Sequence, residues 1–186
     1  EWKIHGKPTL LGAVSGGVAG LVSITPAAGF VTAPSAIAIG LLGGFICFFS
    51  VSLIKSKFGY DDALDAFGVH GVGGAWGALA TGLFASKAVN EAGADGLLYG
   101  NPAQFASQFV GVAVSCLFAV LMTILIMKSL ALFMKIRVDE FQENFGLDLT
   151  EHGEQGYANQ DLAAGSPVSH LVPTASPLSI PETSPA

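Results

Sequence analysis

The stretch AFGVHGVGGAWGALATGLFA, residues Ala66–Ala85, runs for twenty residues with no formal charge beyond any proton on His70, and Asp61, Asp62 and Asp65 stand just before it. As a helix rising about 1.5 Å per residue, it is long enough to cross a hydrocarbon core of about 30 Å. An ionisable side chain is expensive there, which makes His70 a functional candidate by default. The competing role for such a residue is structural: a buried neutral imidazole hydrogen-bonded to a neighbouring backbone.

Working outward, three further apolar runs, about 9–24, 33–54 and 102–134, join the one at 62–85, and each is helical by length. Hydrophobic residues make up 51% of the chain and charged residues 12%, about half the charge of an ordinary soluble domain. The expected fold is an all-α membrane protein of four transmembrane helices within residues 1–137. Pro8, Pro34 and Pro102 mark helix entries, where a missing N–H costs nothing. A membrane barrel would need strands that alternate in polarity, and these runs are unbroken.

Four crossings put both ends on one side. Lys3 and Lys7 precede the first run, Lys55 and Lys57 lie between the second and third, Lys135 and Arg137 follow the fourth, and only Lys87 lies opposite. The positive-inside rule makes that shared side cytoplasmic. The net charge of −6 comes largely from the tail after Arg137, and no basic face suited to nucleic acid is present.

Gly12, Gly16 and Gly20, then Gly40 and Gly44, then Gly73 and Gly77 recur at four-residue spacing, the pattern that lets helix backbones approach closely in lipid. Cys47 and Cys116 read as packing residues, with no Cys or His spacing for a metal, and neither a catalytic set nor a cofactor motif is read. At about 100° per residue, Asp62, Ala66, His70, Gly73, Gly77 and Thr81 share one small or polar stripe, and Ser15 lies on a similar stripe in the first run. Two such faces could enclose a thin conduit. On the same wheel Asp65 points about 140° away from His70. Helix capping at the cytoplasmic mouth is the structural alternative for all three aspartates.

After Arg137 the chain turns polar. Residues 138–160 are acidic but anchored by Phe141, Phe145, Leu147, Leu149 and Tyr157, and a tail docked on the cytoplasmic face is expected. Residues 161–186, with five prolines among Ser, Thr and Ala, read as a disordered end.

The run Asp61-Asp62-Ala63-Leu64-Asp65-Ala66-Phe67-Gly68-Val69-His70-Gly71-Val72-Gly73-Gly74 resembles the signature of the ammonium transporter family, Amt and its Mep and Rh relatives. Leu10 to Leu21, Ile24 to Ala27, and Gly146 to Glu154 agree with it, so the resemblance covers about residues 2–160. It implies helices eight to eleven of an eleven-helix inverted repeat, one pore per subunit, and a homotrimer in the cell (plasma or inner) membrane. His70 matches the second of two pore histidines, whose partner would lie in the N-terminal half that this chain lacks. Ser15, Val18 and Ala66 match pore-lining positions, and Asp62 and Asp65 match the acidic pair of the cytoplasmic vestibule. Gly146, Asp148, Thr150, His152, Gly153 and Glu154 match the regulatory tail, with Thr150 at a position phosphorylated in some plant members and a P-II signalling protein a partner in bacterial ones.

An intact cation in a narrow apolar tube costs several kcal/mol or more, and neutral ammonia avoids that cost. The expected chemistry is therefore deprotonation of ammonium near the outer mouth and passage of ammonia, with the proton either staying outside or crossing through the histidine pair. A sensor that binds ammonium and signals through its tail is the alternative. A retinal protein would need an intramembrane lysine, and Lys128 lies near a helix end.

Overall fold

The computed structural model describes residues 1–154 and 156, and the proline-rich end at 161–186 and Tyr157 lie outside them. The chain divides into two compact units, Glu1–Ile126 and Met127–Ala186. In the first, α1 (Trp2–His5) precedes α2 (Leu10–Ile24) and α3 (Ala33–Phe49), and α4 (Lys55–Phe58) prolongs α3 after a π-helical segment at Ser50–Ile54. A second π segment, Phe67–Gly71, leads into α5 (Val72–Phe84), and α6 (Pro102–Ala131) begins in this unit and ends in the second. Among the described residues, three helices are long and apolar enough to cross a membrane: Leu10–Ala27, Ala33–Phe58 and Pro102–Ala131. No strand occurs among the described residues.

Local chemistry accounts for the helix ends. The Thr9 hydroxyl accepts from the Gly12 N–H at 2.9 Å and caps α2. A 3-10 turn at Thr25–Ala27, with Pro26 inside it, extends that helix, and Pro34 sits in the first turn of α3. The expected span at 33–54 continues to Phe58, whereas the one expected from Asp62 becomes helical only near Phe67, because Asp62–Asp65 form a turn.

The glycine spacing pairs α2 with α3. A Cβ on Gly20 would meet the Gly40 carbonyl oxygen at 3.7 Å, and one on Gly44 would meet that of Gly16 at 3.8 Å. α5 closes the three-helix group around Ser23, which is fully buried. A Cβ on Gly43 would strike the Ser23 side chain, one on Gly73 would lie 3.4 Å from its hydroxyl, and one on Gly77 would run into its carbonyl oxygen. The Trp76 indole N–H donates to the Ile39 carbonyl oxygen at 3.1 Å and ties α5 to α3. Ala27, Ile39 and Ala80 form the small core beside it, packed by Ile24, Val31, Trp76 and Phe84. α6 has no buried residue; Gly82 of α5 comes close to Phe105, where an added Cβ would lie 2.9 Å from Cα.

In the second unit, α7 (Glu140–Phe145) and α8 (Leu147–His152) meet at Gly146, whose φ of 110° favours glycine. The Phe141 and Phe145 rings stack with centroids 5.5 Å apart.

Gly77→Ala is expected to destabilise the protein by about 1–3 kcal/mol, since the new methyl group meets backbone that cannot rotate away. Gly74→Ala, with nothing within 4 Å of the added carbon, should leave stability unchanged or slightly raised. Thermal unfolding of the two variants in detergent, in the full-length protein, separates these outcomes; coincident curves would refute close packing at Gly77.

Candidate functional site

His70 lies on the π-helical segment Phe67–Gly71, and the π segment Ser50–Ile54 packs against it. Gly68 makes the approach possible: a Cβ there would stand 2.7 Å from Val51 Cγ2 and 3.6 Å from Ser50 Oγ. A π turn inserts one residue into the helical repeat, which rotates the residues after it by about 100° relative to those before it. The stripe expected from Asp62 to Thr81 is therefore split. Gly73, Gly77 and Thr81 are buried, with the Thr81 hydroxyl donating to the Gly77 carbonyl oxygen at 2.8 Å, whereas His70 is exposed.

The three aspartates do not share one task. Asp62 Oδ2 accepts from the Phe67 N–H at 3.0 Å and the Gly68 N–H at 3.3 Å, so its carboxylate caps the π segment across the turn. Asp65 adopts a left-handed backbone with φ of 54° and pairs with Lys55, its Oδ1 lying 2.7 Å from Nζ. The same Nζ donates to the Asp62 carbonyl oxygen at 2.6 Å. In the sequence Lys55 carries no sign of this role and counts only as one of the cations on the cytoplasmic side.

A groove of about 1080 Å³ gathers most of the expected site. Ser15 and Val18 of α2 line it together with Phe49, Asp65, Val69 and His70. Asp65 thus faces the same space as His70, against the helical wheel, because residues 62–65 are a turn and not helix. Ala66 and Asp62 are not among the residues lining the groove. Cys47 is buried, with Sγ 3.6 Å from the Val69 carbonyl oxygen just beneath His70. The walls are largely apolar, interrupted by Thr9, Ser15, Ser52 and His70 and by the charged Glu1, Lys3 and Asp65. Such a surface can hold a small neutral solute at the imidazole and penalises a desolvated cation along its length.

In the second unit the expected tail residues lie on α8 and at its two ends. The Thr150 hydroxyl donates to the Gly146 carbonyl oxygen at 2.9 Å, and Gly153, with φ of 68°, ends α8. The Glu154 N–H donates to the Asp148 carbonyl oxygen at 3.0 Å. His152 ends the last turn of α8. The Asp148 carboxylate accepts from the Gly156 N–H at 3.1 Å and the Leu149 N–H at 2.9 Å. Those two donors, Gly156 first, hold its pKa below the usual carboxylate range. Glu143, which no sequence motif marks, pairs with Arg137 at 2.8 Å, and Gln142 bridges to Glu151 at 2.8 Å.

Long apolar helices meeting through glycines, with a histidine on the wall of a largely apolar groove, are the marks of a helical membrane protein. The chain belongs to the ammonium transporter family: the model of the Ammonium Transporter Family matches residues 1–157. It is 57% identical over 157 residues to an ammonium transporter of Bacillus subtilis, covering 84% of this chain and 39% of the relative. It is 45% identical over 155 residues to the ammonium transporter Amt1 of Archaeoglobus fulgidus, covering 83% and 39%. Among solved structures, Saccharomyces cerevisiae Mep2 matches with a TM-score of 0.70 at 34% identity, covering 75% of this chain and 32% of that one. Candida albicans Mep2 matches with a TM-score of 0.66 at 34% identity, covering 76% and 32%. The chain thus spans well under half the length of these relatives.

Asp148 also sets a pH dependence. Its folded pKa is depressed, so its contribution to tail order is present above the unfolded value of about 3.9 and is lost as pH falls through the folded value. The Gly156 amide chemical shift, followed by NMR from about pH 6 to about pH 2, should move in that acid range. Asp148→Asn should remove that transition.

Proposed function

We propose that this chain is the C-terminal part of a subunit that conducts ammonium or ammonia through a narrow apolar pore. The observation that carries the reading is the groove itself, which sets Ser15 and Val18 of α2 beside Asp65 and His70 on one concave wall. A wall open along its length needs a second wall. The histidine supply agrees: His5, His152 and His170 all fall in polar segments outside the apolar runs, so a partner for His70 must come from the N-terminal half.

In this reading ammonium loses its proton before the apolar lumen, ammonia passes His70, and Ser15 and the acidic mouth receive it on the cytoplasmic side. One imidazole can donate at one nitrogen and accept at the other, which suits a histidine pair sharing a single proton. The helix Phe67–Phe84 makes the fourth crossing, so the lysines and arginine flanking the helices put both ends of the chain in the cytoplasm. The assembled subunit forms a homotrimer in the plasma or inner membrane.

Residues 138–160 form the regulatory tail. Gly146 and Gly153 supply its turns, and Asp148, Thr150, His152 and Glu154 form the segment through which a neighbouring subunit or a P-II-type protein acts on the pore. The second reading is an ammonium sensor with little flux that signals through the same tail.

The isolated chain should not raise methylammonium uptake into liposomes above that of empty vesicles, because four helices cannot enclose the groove; uptake would refute the two-walled pore. In the full-length transporter, His70→Ala should change flux or the preference for ammonium over methylammonium by about tenfold or more, with the melting temperature nearly unchanged. Normal transport with loss of trimer and of thermal stability would assign His70 a structural role instead. Ammonium-dependent signalling without measurable flux in the wild-type protein would favour the sensor.

A further inference from the structure

Four contacts converge on the turn between the two π segments, and Lys55 makes two of them. Its Nζ reaches both the Asp62 carbonyl oxygen at 2.6 Å and Asp65 Oδ1 at 2.7 Å. Asp65 holds a positive φ, which an aspartate tolerates better than most residues but adopts at a cost. Asp62 then uses its own carboxylate to cap Phe67 and Gly68, the first two residues of the π segment that carries His70. Behind these contacts, Lys55 comes directly after the other π segment, so its position on the helix is tied to Ser50–Ile54.

We propose that Lys55 is a positioning residue that clamps the Asp62–Asp65 turn and thereby holds Phe67–Gly71 in its π-helical register, fixing where the His70 imidazole stands in the groove; its bearing on transport rests on the reading of His70 as a pore histidine. Without the clamp, nothing in the local sequence favours the wide turn. A π turn is rare and occurs mostly as a single-turn bulge within α-helix, so one that persists calls for contacts that impose it. Asp65 would relax from its left-handed backbone, Asp62 would lose its aim at the two amides, and the segment could rewind as α-helix. Rewinding would turn His70 by about 100° relative to α5 and take it off the groove wall. The lysine acts through the turn and touches no solute. Its side chain and that of Asp65 are 29% and 36% exposed, so the pair is partly sheltered and holds its geometry better than an ion pair in open water.

The test uses the full-length transporter reconstituted in liposomes, with amide hydrogen exchange of the 66–71 segment as the direct readout and methylammonium flux as a separate one. Lys55→Met and Asp65→Asn should each raise exchange at 67–70 about tenfold, and the double variant should add little, since both remove one interaction. Lys55→Arg, whose several N–H groups can reach a carbonyl and a carboxylate, should keep exchange within about threefold of wild type. Asp65→Gly, which accepts the positive φ but has no carboxylate, should behave like Asp65→Asn. Unchanged exchange in Lys55→Met, or additive effects in the double variant, would overturn the clamp. Raised exchange with unaltered maximal flux and unaltered ammonium preference would uphold the clamp on the turn and instead overturn the reading of His70 as a conducting residue.

Discussion

Lipid removes the usual reason for apolar side chains to turn inward, since hydrocarbon solvates leucine as well as a protein core does. What remains to hold helices together is close backbone contact, and here that contact centres on Ser23. Gly43, Gly73 and Gly77 from two other helices all abut its side chain or its carbonyl group. A side chain at any of the three would push the helices around Ser23 apart. This explains why the buried apolar set is small while many large apolar side chains on α2, α3 and α6 stay exposed, as lipid and further helices would require.

The position of the histidine depends on that node. With α5 pinned by Gly73, Gly77 and the Trp76–Ile39 bond, the segment before it can run on into the wall of α3 or swing outward. The paired π segments resolve this by bringing Gly68 against Val51 and Ser50, which turns His70 away from the packed face and onto the groove. The glycine face and the histidine face of one short helix thus point different ways, one into the packed helices and the other onto the groove, separated by a single inserted residue.

Much of this was legible in the sequence and part was not, for identifiable reasons. Helix positions, the use of four-residue glycine spacing for close packing, and the candidacy of His70 come from polarity and spacing, which act locally; that Gly16 and Gly20 meet Gly40 and Gly44 needed the fold. The stripe from Asp62 to Thr81 failed because a wheel assumes an unbroken α-helix, and a π turn leaves no mark on composition. Asp65 illustrates the same limit. Placed on the wheel it pointed away from His70, yet a left-handed turn brings it to the same groove. Lys55 lies ten residues before Asp65, and no spacing rule joins a helix end to a turn that folds back on it. Ser23 looks like an ordinary small polar residue until three helices meet on it.

The charges at the mouth also bear on how a pore of this kind could select its solute. Asp61, Asp62 and Asp65 look at first like an acidic trap for cations. Yet the Asp62 carboxylate is engaged by two backbone amides and Asp65 by a lysine, and Lys57 stands nearby in sequence, so much of the attraction is already offset. Whatever field remains is screened within about 10 Å at ordinary ionic strength. The acids therefore shape the turn more than they concentrate a cation, and in the proposed pore discrimination would fall to the apolar walls around Val18, Phe49 and Val69, where the cost of desolvating a charge is largest. In such a pore the solute's charge state, set by where its proton is given up, matters more than how strongly the cytoplasmic mouth attracts it.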